Sequence, residues 1–253
     1  MITLASDFGT PYPAAMKGVL LSRTDTQLVD VAHDFPRQDV RTAAFWLREV
    51  LPYFPPAVHL VVVDPGVGTD RDALVIRAGD HALVGPDNGV LYPAATRLSE
   101  GNEIDVYTVD IEDPESVTFH GRDVFAPAAA RIDEVGIGRI GTVEEFRPTH
   151  EYVDLRFPDP DVGEDAARGE ILVIDGFGNA ITNIPGSVLE NRFGCEVEVS
   201  GTRAPAARTY AAVDIGEALV TVGSHDNVEL AANQERGDEA FDVEVGDAVE
   251  LRW

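Results

Sequence analysis

The stretch HLVVVDPGVGTDR, residues 59–71, joins a short, nearly all-aliphatic run to a loop of glycine and charged residues. An apolar run of this length without alternation suits a strand buried on both faces, the central strand of a layered α/β sheet. Working outward, 2–5 reads as a strand, 13–23 as a helix and 27–31 as a strand. Residues 39–53 read as a helix that buries Ala43, Ala44, Trp46, Leu47, Val50 and Leu51. Beyond the quoted stretch, 74–77, 82–84 and 106–109 read as strands and 122–135 as a helix whose Pro127 lies near enough to its start to be tolerated. Strands alternating with helices over residues 1–156 predict an α/β domain with a central mixed sheet.

The pattern changes after FPDPDVGEDAARG, residues 157–169, which is rich in Pro, Gly and acid and has no period, so a linker is expected there. From 170 to 253 the runs are short and often alternating: 171–174, 180–184, 196–200, 209–213, 218–222, 228–232 and 248–253. They predict a smaller, all-β, barrel-like domain.

Acidic residues outnumber basic ones 45 to 19, a net charge of −26, and Lys17 is the single lysine in the chain. Acid is spread through the sequence, so it is not an interaction tail. Self-repulsion at this density opposes compactness in ordinary buffer, but the Debye length falls to about 3 Å in molar salt. A salt-adapted, halophilic cytoplasmic protein is therefore expected. With no cluster of Lys and Arg to neutralise phosphates, nucleic acid is not an expected partner, whereas a small cation is electrostatically welcome. Cys195 is the only cysteine, which rules out an intramolecular disulfide and a cysteine zinc cluster and accords with a reducing compartment. No run of 18 apolar residues and no leader pattern occurs, so neither a membrane span nor export is expected.

Polar residues and glycines follow directly on apolar runs in SDFGT (6–10), VVDPGVGTDR (62–71), GPDNG (85–89), TFHGRDVFAP (118–127), IDGFGNAITNI (174–184) and GSHDNVELAANQ (223–234). Open α/β sheets place ligands at such strand ends. Taken singly, Asp7 reads as a turn former, His120 as a structural histidine, and Asp64 with Arg71 as an ordinary ion pair. The GVG at 66–68 completes neither GxxxxGK[ST] nor GxGxxG, so a nucleotide phosphate is not indicated.

Taken together, these strings occur in the order and spacing of a known family. Over essentially its full length the chain resembles the S-adenosyl-L-methionine hydroxide adenosyltransferases, relatives of the fluorinase and chlorinase. The resemblance implies hydrolysis of S-adenosyl-L-methionine to adenosine and L-methionine, with no cofactor and no metal. It implies a homotrimer whose sites lie between subunits. It places the residues that handle the attacking water on Asp64, Arg71 and His120. Halogenating relatives carry an aromatic residue where Asp64 stands, and the fluorinase has a serine where this chain has Gly121, a glycine that also resembles the chlorinase. The resemblance further places substrate contacts on Asp7 at the ribose hydroxyls, Phe177 and Asn179 beside the adenine, Asp175 at the methionine ammonium, and Ser224 with Glu229 in a closing segment. Asp175 lies one residue nearer to Phe177 than in the halogenases, and His225 replaces an arginine.

On this reading His120 with Asp64 orients and deprotonates a water while Arg71 fixes Asp64. Three other readings remain at this point. One is a chlorinase that forms 5′-chloro-5′-deoxyadenosine. A second is a metal-dependent hydrolase built on Asp7, Asp64, Asp87 and His120. The third is a non-catalytic sensor of S-adenosyl-L-methionine or adenosine.

Overall fold

The structure, a computed structural model, describes residues 1–110 and 118–253 and divides into two compact units, Met1–Arg156 and Phe157–Trp253. In the first unit the strands are β1 (Ile2–Ser6), β2 (Leu28–Ala32), β3 (Val58–Val62), β4 (Ala73–Ala78), β5 (His81–Pro86), β6 (Asp105–Val109) and β7 (Phe146–Pro148). The helices are α1 (Tyr12–Leu21), α2 (Val40–Val50), α3 (Tyr92–Leu98) and α4 (Ala126–Val135). The seven strands form one sheet in the order β2-β1-β3-β5-β4-β6-β7. Strands β2, β1, β3 and β5 run parallel, and β4, β6 and β7 continue antiparallel. This is the mixed α/β sheet expected from the sequence.

The aliphatic run read first is β3, and every residue of it is buried. His59, fully buried within it, is accommodated by hydrogen bonds to Thr3 Oγ1 at 2.8 Å and His81 Nδ1 at 2.9 Å. Burial and the neighbouring His81 push its pKa down to about 3, so the core holds it neutral. Packing between β3 and β5 also decides a glycine: a Cβ at Gly85 would lie 2.4 Å from the Val61 carbonyl oxygen.

Helix α2 starts where Asp39 caps it, accepting from the Thr42 N–H at 2.9 Å. Its buried face is Ala43, Ala44, Phe45 and Leu47, followed by Leu51, whereas Trp46 and Val50 are half-buried. Phe45 thus takes the place expected for Trp46. The helix expected over 122–135 is two pieces, a π-turn Gly121–Phe125 leading into α4, with Pro127 in α4's first turn.

The second unit holds β8 (Asp161–Val162), β9 (Ala166–Ile174), β10 (Ala180–Pro185), β11 (Glu196–Val199), β12 (Thr202–Pro205), β13 (Ala218–Val222), β14 (Asn227–Ala232), β15 (Ala248–Arg252) and the short helix α5 (Gly237–Phe241). The order is β12-β11-β15-β9-β10-β14-β13, with β8 on β9 and all pairs antiparallel. A bridge between Ala206, just past β12, and Val220 of β13 brings the two edges together, so the sheet is a nearly closed barrel around Ile171, Val197, Val220, Leu230 and Leu251. Strand β8 and the start of β9 occupy the stretch expected as linker. Residues 209–213, expected as a strand, contain the 3-10 turn Tyr210–Ala212. Among the described residues no helix is long and apolar enough to cross a membrane.

Candidate active site

Asp64 follows β3 by two residues, at the end where a parallel sheet presents its loops. Its loop is held from both sides. Thr69 Oγ1 donates to the Gly66 carbonyl at 2.7 Å, and Asn88 Nδ2, from the GPDNG segment, donates to the Val63 carbonyl at 2.9 Å. The loop returns Arg71 onto Asp64: Arg71 Nε donates to Oδ1 at 2.7 Å and Nη2 to Oδ2, a bidentate pair. The side chains are only 4% (Asp64) and 10% (Arg71) exposed. The guanidinium is further fixed by Nη1 on the Asp72 carbonyl at 2.8 Å and by the Phe125 ring, 5.1 Å below.

His120 stands at the head of the π-turn, 7% exposed, with Nδ1 3.2 Å from Arg71 Nη2. π-Turns recur at functional positions because they turn side chains out of the regular helical register. Burial first, and then the Arg71 guanidinium, lower the His120 pKa below the usual histidine value, against the opposing pull of Asp64 and Asp123. A guanidinium has only N–H donors, so Nδ1 offers its lone pair to Arg71 and the neutral ring carries its proton on Nε2. The structure therefore brings Asp64, Arg71 and His120 together as one hydrogen-bonded group.

The remaining candidates make their hydrogen bonds outside the trio. Asp7, just past β1, accepts the Gln38 N–H on Oδ2 at 2.7 Å. Asp87 accepts the Val153 N–H at 2.8 Å on Oδ1. With both Asp64 oxygens on a guanidinium and Asp87 closing a loop, these carboxylates do not form a ligand set; among the described residues no group of three or more His, Cys, Asp or Glu is placed to hold a metal ion.

In the barrel, Asp175 organises the FGN turn. Oδ1 accepts the N–H groups of Phe177 and Asn179, both at 2.9 Å, and Oδ2 accepts Asn179 Nδ2 at 3.1 Å. Asn179 is thereby buried, while Phe177 stands 82% exposed. Ser224 Oγ lies 3.4 Å from His225 Nε2. Glu229, from β14, is 5% exposed and takes the Tyr210 hydroxyl on Oε1 at 2.5 Å. Burial is the main cause raising the Glu229 pKa, and nearby Asp175 adds to it; the same burial and the Glu229 carboxylate push Tyr210 upward. Tyr210 escaped the sequence reading, because its partner is 19 residues away and 209–213 looked like strand.

Known proteins share this arrangement of elements. Residues 2–140 match the model of the SAM hydroxide adenosyltransferase N-terminal domain and 169–250 that of the C-terminal domain. The chain is 39% identical to an (R)-S-adenosyl-L-methionine hydrolase of Salinispora tropica, covering 99% of this chain and 97% of the relative. It is 40% identical to an (R)-S-adenosyl-L-methionine hydrolase of Thermus thermophilus, covering 97% of each. An uncharacterized conserved protein from Thermotoga maritima has the same fold at a TM-score of 0.86, with 31% identity and the whole of both chains covered. A conserved hypothetical protein from Thermus thermophilus superposes with a TM-score of 0.78 at 37% identity, over 99% of this chain and 98% of that one. With both domains of the model matched in order and relatives aligned along nearly their whole length, this chain belongs to the SAM hydroxide adenosyltransferase family.

Proposed function

We propose that this chain hydrolyses S-adenosyl-L-methionine to adenosine and L-methionine by in-line attack of a water oxygen on ribose C5′. The observation that carries the reading is the hydrogen-bonded Asp64–Arg71–His120 group. The C5′–O bond forms as the C5′–S bond breaks, and the sulfur keeps the electron pair. Methionine leaves as a neutral thioether that needs neither a general acid nor a metal, so the demand falls on the nucleophile. Water must be held in line and must lose a proton. His120, neutral with its proton on Nε2, donates to the water oxygen and orients it. The one lone pair of its ring, on Nδ1, faces Arg71, whereas each Asp64 oxygen keeps a second lone pair beside the one given to Arg71, so Asp64 is the member of the group left to accept the proton. This assigns to Asp64 a proton whose acceptor within the trio the sequence leaves open.

In this reading Asp7 offers its second oxygen to the ribose hydroxyls, and Asn179 with Phe177 lines the adenine. Ser224 and Glu229 hold the methionine portion. Asp175 acts through the turn it organises. The relatives are (R)-S-adenosyl-L-methionine hydrolases by name, and we assign the same sulfonium epimer to this chain. A cytoplasmic homotrimer with sites between neighbouring subunits completes the reading, and light scattering of the purified protein tests the trimer.

The chloride alternative shares Gly121 but not the trio. A Cβ at Gly121 would meet Met16 Sδ at 2.9 Å, Phe119 at 3.2 Å and Val62 at 3.3 Å, so a fluorinase-like serine does not fit without repacking. The deciding experiment incubates the protein with each sulfonium epimer in molar KCl and 18O-labelled water. Adenosine labelled at the 5′ oxygen, formed faster from the (R) epimer, is expected. 5′-Chloro-5′-deoxyadenosine would move the chain to the halogenases, and tight binding without turnover would make it a sensor.

A further inference from the structure

A second line of polar side chains, unrelated to the trio, crosses the ends of β1 and β2. Lys17 Nζ, from α1, donates to Asp30 Oδ2 at 2.5 Å. Asp30 Oδ1 lies 2.9 Å from His33 Nε2, and His33 Nδ1 lies 2.8 Å from Ser6 Oγ. Ionised Asp30 has only lone pairs to offer, so His33 Nε2 carries a proton and points it at the carboxylate. Ser6 is fully buried and is the last residue of β1; Asp7 is the next. Two further bonds lock the same loop, Gly9 N–H to the His33 carbonyl at 2.7 Å and Gln38 N–H to Asp7 Oδ2 at 2.7 Å.

Local backbone geometry sets this up. Leu4 pairs with Asp30 but Ala5 with Ala32, so Val31 is an extra residue in β2. A bulge of this kind re-aims the residues around it, here placing Asp30 and His33 in line with Ser6.

Lys17 is the only lysine among 19 basic residues. The contrast with Arg71 gives a physical reason. The Arg71 fork occupies both oxygens of Asp64, whereas the Lys17 ammonium meets one oxygen of Asp30 and leaves the other to His33. An arginine in place of Lys17 would compete with His33 for Asp30.

We propose that Lys17, Asp30 and His33 are positioning residues for substrate binding: through Ser6 they fix the Asp7 carboxylate so that Oδ1 is presented to a vicinal diol such as the ribose 2′,3′-hydroxyls. This rests on the ribose role given to Asp7 above. A loop held only by its own backbone would let the carboxylate swing, and misplacement of a binding group by about 1 Å is enough to weaken its contact substantially.

The test measures kcat and KM for (R)-S-adenosyl-L-methionine in wild type, Asp7→Ala, Lys17→Met, Ser6→Ala, Lys17→Arg and the Lys17→Met/Asp7→Ala pair. Lys17→Met and Ser6→Ala are each expected to raise KM about fivefold to tenfold with kcat within about twofold, and Lys17→Met to add nothing on the Asp7→Ala background. Lys17→Arg is expected to keep the raised KM. An unchanged KM in Lys17→Met, an equal effect on both backgrounds, a pure kcat defect, or a wild-type KM in Lys17→Arg would each overturn the inference. Should Lys17→Met not fold, Ser6→Ala carries the same comparison. Failure of the underlying reading looks different: Asp7→Ala itself would then leave KM unchanged.

Discussion

The trio of the α/β unit and the acidic group of the barrel are built on opposite electrostatic plans. In the α/β unit, one guanidinium neutralises Asp64, bonds both of its oxygens and also reaches His120, so the group is closed by its own bonds. In the barrel, Glu229 and Asp175 accept from neutral donors, a phenol and amide N–H groups, and the Glu229 pKa rises through burial and through the proximity of Asp175. Charge compensation fixes the first group, and the second is left with an electrostatic cost that a cation relieves. A substrate bearing both a sulfonium and an ammonium suits that difference. Chemistry is thus expected to fail when the closed group is opened, and affinity when the open group is neutralised.

The largest effect is expected from breaking the closed group. Asp64→Ala and His120→Ala should each lower kcat by about 10² or more, the usual scale of proton-transfer and positioning contributions. Arg71→Ala removes the counter-charge of a carboxylate that is 4% exposed and should lower both kcat and the melting temperature. Single-turnover rates with circular dichroism melts check all three. A near-normal rate in Asp64→Ala would remove the proton acceptor from the mechanism.

Neutralising the open group should give the reverse pattern. Glu229→Gln keeps the shape and an acceptor for Tyr210 but removes the buried charge. KM should rise about tenfold while the free protein melts no lower than wild type, since a strained carboxylate has been relieved. A lower melting temperature with unchanged KM would make Glu229 a structural residue. Ser224→Ala, at an exposed hydroxyl, should raise KM about threefold with kcat unchanged; a pure rate defect there would count against its place in binding.

The asymmetry between the groups also marks what was legible in the sequence. The run 59–63 and its loop identified the central strand and placed Asp64 and Arg71 at its end, because aliphatic patterning and a tight loop are local properties. The barrel was legible as short alternating runs. Tyr210 was not, since β-branched and aromatic residues around it mimic a strand while the chain makes a 3-10 turn. The π-turn at Gly121–Phe125 was absorbed into an expected helix, because one extra residue per turn leaves no compositional mark. Nor did any motif announce Lys17, Asp30 and His33, whose contacts with one another and with Ser6 accompany a bulge in β2.

A change of pH tests the protonation state of the closed group without opening it. The proposed mechanism needs His120 neutral, and burial together with Arg71 lowers the His120 pKa from the usual histidine value of 6.5. A group with its pKa below 6.5 is more than half neutral at pH 6.5, so lowering the pH from 8 to 6.5 should reduce the His120-dependent part of kcat by less than about twofold. Loss becomes steep only on further acidification, as pH falls through the depressed value. The same sign governs folding. Between the lowered pKa and 6.5 the unfolded chain binds the proton and the folded chain does not, so this contribution to stability is intact above pH 6.5 and declines below it. If His120 were instead protonated and donating from both nitrogens, kcat would fall as pH rises through the histidine range. A rate that decreases between pH 6.5 and 8 would therefore contradict both the tautomer assigned from Arg71 and the choice of Asp64 as proton acceptor.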